Sequence, residues 1–236
     1  DSLQDWVAYT QNIVCKYYAE KVLIHGDPKY LPLVSDRVRM NNPSEVIKHL
    51  EDKIVYTGYV CNEKIKLHKK ENNNIIVSTG LNKEEGMLVF KEITKIAPQF
   101  PEYKFIMPIA NRYLNNIKTK TKDNIVMVPY IKDMYKLLNS CSLYITYGGY
   151  NSTMEILKSG IPAIIIPRTD GQKMEQFVRC YTLEPFNFFK VISKSEFDKI
   201  PSVIKSCLKS TDFPAKNSID LNGVKKSYDA ITEVYA

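Results

Sequence analysis

An α/β protein of the Rossmann-like, doubly wound kind is predicted by three features of this 236-residue chain. Short runs that are apolar on successive positions recur along it, segments of helical period separate them, and glycine- and hydroxyl-bearing turns join the two. The runs fall at 21–25, 53–60, 75–78, 104–109, 124–128, 143–147, 163–167 and 189–192. Contiguous apolar runs of this length read as strands buried on both faces. In 84–97, Met87, Phe90, Ile93 and Ile96 recur at three-residue spacing, and in 131–139 Met134, Leu137 and Leu138 share a face. Strands alternating with helices imply βαβ units, right-handed crossovers and a parallel sheet covered on both sides.

That domain is placed at 53–212. Residues 1–52 read as a helix, a strand and a Pro-containing connection, and 213–236 as a polar stretch with Pro214 followed by a final helix. The opening helix leaves Trp6, Val7, Ile13 and Val14 in need of cover, as if the chain began in the middle of a larger protein. At 44% apolar and 25% charged, the composition is that of a soluble globular domain. The net charge of +7 suits an anionic ligand or an acidic membrane surface. It is dispersed, and its densest run (Lys118, Lys120, Lys122) reads as a solvated loop. With neither aromatic interleaving nor a nucleic-acid motif, nucleic acid is not an expected partner. Five scattered cysteines without a C-x-x-C favour reduced thiols in a cytoplasmic setting, and neither a metal motif nor a membrane-length apolar stretch is seen.

In an open parallel sheet, ligands bind beyond the carboxyl ends of the strands. Three junctions qualify. The first runs from Tyr147 through Gly148 and Gly149 into a helix expected to start near Ser152, whose free amides and dipole suit a diphosphate. Ser152 and Thr153 add hydroxyls, and Glu155, one turn on, could accept both hydroxyls of a ribose. Equally, Ser152-x-x-Glu155 is a capping box that explains both residues with no ligand. The second junction follows Ile164-Ile-Ile-Pro167, where Arg168 presents a fixed charge and several donors. Beyond it, Glu175 and Gln176 could grip sugar hydroxyls, or Glu175 and Arg179 could form an ordinary surface pair. The third is Val77-Ser-Thr79-Gly80-Leu-Asn82, where one glycine allows a phosphate-facing turn or a plain one.

Taken together, Gly148-Gly-Tyr-Asn151-Ser-Thr-Met-Glu155, Gly160-Ile-Pro-Ala163, Pro167-Arg168 and Glu175-Gln-Phe-Val-Arg179 resemble the carboxyl-terminal, donor-binding half of GT-B glycosyltransferases. The resemblance is to those related to the peptidoglycan N-acetylglucosaminyltransferase, in a bacterial branch of predicted glycosyltransferases. Gly26-Asp-Pro28 and Tyr56-Thr-Gly-Tyr-Val60 extend it over about 20–180. It implies that Glu155 holds the ribose of a nucleotide sugar, UDP-linked in the commonest case. Ser152, Thr153 and the amides around Gly148, Gly149 and Asn151 would meet the diphosphate, with Thr79 and Gly80 approaching from the first turn. Glu175 and Gln176 would contact the sugar, backbone near 128–131 the base, and Arg168 the leaving diphosphate.

The implied reaction is transfer with inversion to an unknown acceptor, lipid-linked acceptors at the inner membrane face included, with no metal and no cofactor beyond the donor. The family's first turn carries two or three glycines where this one carries Gly80 alone. Its general base lies in an amino-terminal domain of which 1–52 would be the last helix and strand, and His25, His49 and His68 read as structural or surface residues. Hydrolysis of a nucleotide sugar, or a donor-binding subunit completed by a partner chain, are the alternatives.

Overall fold

The computed structural model describes residues 17–30, 51–78, 84–109, 123–168, 174–210 and 219–235. The opening helix, the 31–50 connection with His49, the lysine run near 120, Thr79 and Gly80 lie outside them. In chain order the strands are β1 (Val22–Ile24), β2 (Ile54–Tyr56), β3 (Asn74–Ser78), β4 (Lys104–Pro108), β5 (Ile125–Val128), β6 (Leu143–Thr146), β7 (Ala163–Ile165) and β8 (Lys190–Val191). The helices are α1 (Glu84–Ile96), α2 (Met134–Ser140), α3 (Tyr150–Ser159), α4 (Met174–Leu183), α5 (Ile200–Lys209) and α6 (Gly223–Tyr235).

The residues fall into two compact units, 62–218 and 1–61 with 219–236. The larger contains a six-stranded sheet ordered β5-β4-β3-β6-β7-β8, every neighbouring pair parallel. Counted within the sheet this is the order 3-2-1-4-5-6, with its reversal between β3 and β6. One face carries Ile75, Val77, Phe105, Met107, Leu143, Ile145 and Ile164, packed with Val89, Phe90 and Ile93 of α1 and Ile200, Ile204 and Cys207 of α5. Burying that apolar surface, at roughly 25 cal/mol per Å², is the main stabilisation of the unit. The three-residue spacing in α1 therefore reports a real face, with Phe90 and Ile93 fully buried and Met87 at its margin.

In the smaller unit β1 and β2 form a parallel pair, Val22 beside Ile54 and Ile24 beside Tyr56. The domain boundary expected at 53 thus lies after β2, and α6 groups with β1 and β2 instead of standing apart at 213–236. The cause is a set of hydrogen bonds between segments far apart in sequence. Tyr59 N–H donates to the Asp220 carbonyl (2.8 Å), Gly223 N–H to the Tyr59 carbonyl (3.1 Å), and Asp220 N–H to Asp27 Oδ2 (3.2 Å). Lys226 pairs with the Asp220 carboxylate. The Gly26-Asp-Pro28 and Tyr56-Thr-Gly-Tyr59 motifs are two sides of this clasp.

Gly223 is there because nothing larger fits: a Cβ would stand 2.6 Å from the Tyr59 carbonyl carbon. Gly223→Ala is expected to cost about 1–3 kcal/mol, read as a lowered urea midpoint at unchanged slope.

A candidate nucleotide site at the carboxyl ends of β3 to β7

β6 ends at Thr146, and the chain turns through Tyr147-Gly148-Gly149-Tyr150 into α3. Gly148 has φ +69°, and a Cβ on it would lie 2.6 Å from Ile165 Cγ2 and 2.7 Å from Cys180 Sγ. The turn is therefore pressed onto β7 and α4, with the Cys180 thiol kept protonated by burial, its pKa pushed up to about 12. Gly149 is the helix N-cap, no side chain caps the helix, and a Cβ on Gly149 would meet nothing within 4 Å. An uncapped ten-residue helix thus begins at open space beyond a strand end, where its amides and dipole favour an anion.

Because α3 starts at Tyr150, two residues before the expected Ser152, the capping box does not form. Ser152 lies inside the first turn. The same Ser-x-x-Glu pattern does make a capping box at Ser193 and Glu196, where the Ser193 amide donates to Glu196 Oε2. The earlier start also turns Thr153 inward. It is fully buried and its hydroxyl donates to the Gly148 carbonyl (3.2 Å), so it braces the turn and is not presented to a diphosphate as the sequence reading expected. Asn151 is exposed.

Two arginines flank the turn. Arg168, just past β7, has its guanidinium carbon 4.6 Å from the Tyr147 ring centre, and that of Arg179 on α4 lies 5.2 Å from the Tyr150 ring centre. Arg179 is 6% exposed, so its guanidinium is buried and not at the surface. Arg168 Nε and Gln176 Oε1 are buried and have no hydrogen-bond partner among the described residues. Unmet buried donors and acceptors cost roughly 1–3 kcal/mol each, a cost that a ligand can relieve. The Glu175 side chain lies outside the described residues.

Glu155 of α3 lines a cavity of about 890 Å³ together with Ser78 at the end of β3, Pro108 at the end of β4, Pro129 after β5, and 130–136 leading into α2. Three strand ends and Glu155 therefore share one opening beside the sheet's reversal point. Lys64, Lys132 and Lys136 also line it. Burial raises the Glu155 carboxyl to about 7, opposed by a hydrogen bond from Tyr144. Burial, the charge of Glu155 acting next, keeps the Tyr144 phenol protonated, its pKa pushed up to about 12.

His25 Nδ1 is 2.9 Å from Thr57 Oγ1 in the smaller unit. His68, expected at the surface, is half-buried with Nε2 2.6 Å from the Cys141 carbonyl, and burial lowers its pKa. Among the described residues no cluster of three or more His, Cys, Asp or Glu side chains could hold a metal ion, and no helix is long and apolar enough to cross a membrane.

The glycosyltransferase family 28 C-terminal domain matches residues 59–234. The chain belongs to that family. An uncharacterized UDP-glucosyltransferase of Bacillus subtilis is 25% identical over 172 residues, covering 69% of this chain and 41% of the relative. A UDP-N-acetylglucosamine–N-acetylmuramyl-(pentapeptide) pyrophosphoryl-undecaprenol N-acetylglucosamine transferase of Campylobacter hominis is 29% identical over 147 residues, 59% of this chain and 42% of the relative. The chain thus spans about two fifths of the length of these two curated relatives. Among solved structures, Acinetobacter baumannii MurG superposes with a TM-score of 0.62 at 14% identity over 94% of this chain and 69% of that one. The calicheamicin glycosyltransferase CalG4 also gives 0.62, at 11% identity, over 92% and 51%. The fold is accordingly that of the GT-B glycosyltransferases.

Proposed function

We propose that this chain is the donor-binding part of an inverting glycosyltransferase that uses a UDP-linked sugar. The observation that carries the reading is one cavity joining the ends of β3, β4 and β5 to Glu155, beside the uncapped start of α3. In it the ribose hydroxyls donate to Glu155, backbone of 128–131 meets the base, and the diphosphate lies over the amides of Gly149, Tyr150 and Asn151. Arg168 neutralises charge that develops on the departing diphosphate. Gln176, with Glu175 beside it in sequence, addresses the sugar. The dipole, amides and guanidinium suffice for the leaving group, so neither a metal nor a further cofactor is assigned a step.

Deprotonation of the acceptor hydroxyl is assigned to an amino-terminal domain or a partner chain. A lipid-linked acceptor is favoured by the likeness to the Campylobacter hominis transferase, which acts on a pyrophosphoryl-undecaprenol. The buried thiols Cys141, Cys180 and Cys207, which form no disulfide among the described residues, support a cytoplasmic setting, at or near the inner membrane face.

Calorimetry with UDP, GDP, dTDP and uridine tests the reading, UDP being expected to bind best. Arg168→Ala should weaken UDP roughly 10- to 100-fold, the cost of a lost charge-assisted hydrogen bond, and leave uridine unchanged. Equal loss for UDP and uridine would remove Arg168 from the diphosphate. Absence of binding by any of these nucleotides would refute the donor site.

A further inference from the structure

Tyr144 stands in the middle of β6, between β3 and β7, and is 1% exposed. Its register neighbour on β3 is Ile76, and Thr146 pairs with Ser78, so Tyr144, Thr146 and Ser78 share the sheet face opposite the Leu143–Ile145 side. A phenol at a fully buried strand position is costly unless its hydroxyl is bonded. Here the hydroxyl interacts with the Glu155 carboxylate and with the hydroxyls of Ser152, Thr146 and Ser78. Two of those four partners, Ser78 and Glu155, also line the cavity. A hydroxyl chain therefore ties the ends of β3 and β6 to α3, beneath the carboxylate that faces the opening.

We propose that Tyr144 is a positioning residue for donor recognition: its hydroxyl donates to Glu155 from below, turns the remaining carboxylate lone pairs toward the ribose, and so sets a preference for a ribonucleoside over a 2′-deoxyribonucleoside diphosphate. This rests on the nucleoside reading of the cavity. An ionised carboxylate offers about four acceptor sites, and one held by a buried phenol leaves the others in a fixed direction. Without the phenol the carboxylate loses both its orientation and an interaction that favours its charged form, since burial opposes it. The other charged or titratable groups around the cavity are Lys64 from the segment before β3, and Tyr130, Lys132, Asp133, Tyr135 and Lys136 from the approach to α2 and its first turn.

The test uses the full chain carrying ¹³C-carboxyl-labelled glutamate, with Glu155→Gln to assign the Glu155 signal. The carboxyl titration is followed without nucleotide, and UDP and 2′-deoxy-UDP are titrated calorimetrically at about pH 8. In Tyr144→Phe the Glu155 signal is expected to titrate at higher pH than in the wild type. UDP should weaken roughly tenfold and 2′-deoxy-UDP by no more than about twofold, so that the preference collapses. Should Tyr144→Phe not fold, Thr146→Val strips one partner from the phenol without touching Glu155 and should move the same readouts in the same direction. An unchanged titration and an unchanged UDP to 2′-deoxy-UDP ratio in a folded variant overturn the role of Tyr144 alone. A wild type that binds no uridine nucleotide overturns the nucleoside reading, and the recognition role with it.

Discussion

Replacing Glu155 with glutamine is expected to make the unliganded protein more stable at about pH 8 while removing most of its affinity for UDP. The carboxyl of Glu155 titrates near 7 in the fold, against an ordinary value of 4.5, because burial penalises its charge. A raised carboxyl pKa means that the folded state holds the proton more tightly than the unfolded chain. Its favourable contribution is therefore complete below about pH 4.5 and is lost as pH rises through about 7. With partial solvation discounted, the ionised group costs about 1–3 kcal/mol at pH 8. The neutral isostere avoids that cost. Urea unfolding of wild type and Glu155→Gln should thus coincide near pH 4 and diverge above pH 7, the variant being the more stable.

Binding runs the other way. Only the ionised carboxylate accepts both ribose hydroxyls, so UDP affinity of the wild type should fall on the order of tenfold between pH 8 and pH 5.5. The glutamine variant should bind UDP weakly and with little pH dependence. A variant that loses neither affinity nor its pH profile would place the ribose elsewhere.

The second large effect is structural. Gly148→Ala combines a positive φ that disfavours a side chain with a Cβ only 2.6 Å from Ile165 and 2.7 Å from Cys180. Strain of about 1–3 kcal/mol and overpacking of about 1–3 kcal/mol act together, for an expected loss of roughly 2–5 kcal/mol. Gly149→Ala is the matched control, because its Cβ would meet nothing within 4 Å and its φ is −58°. Thermal or urea unfolding should separate the two neighbouring substitutions clearly. Equal stability of the two variants would mean that the turn does not rest on β7 and α4.

The strands were readable because short apolar runs stand out between polar turns, most clearly at β6 and β7, which are buried at every position, and each of the eight expected runs overlaps one strand. The grouping of β2 was not, because an apolar run at 53–60 is the same text whichever sheet it joins. Its deciding partner, Asp220, lies far along the chain and donates and accepts through its backbone. Arg168 was legible as a group at a strand end, and Glu155 and Gln176 as groups near the starts of the helices that follow two strands. The roles of Thr153 and Ser152 depended on where α3 begins, and a start two residues earlier rotates each side chain by about 200° around the helix. Tyr144 gave no sign of itself, since an aromatic inside a strand reads as ordinary packing. Its weight comes from hydroxyls contributed by β3, β6 and α3, which the fold alone brings together.

The most direct measurement is a crystal structure of the protein soaked with UDP. The ribose hydroxyls should lie within hydrogen-bonding distance of the Glu155 carboxylate, the base against 128–131, and the diphosphate over the amides of Gly149 to Asn151. A nucleotide bound away from the β3–β5 strand ends, or one whose ribose makes no contact with Glu155, would contradict the assignment of this cavity as the donor site.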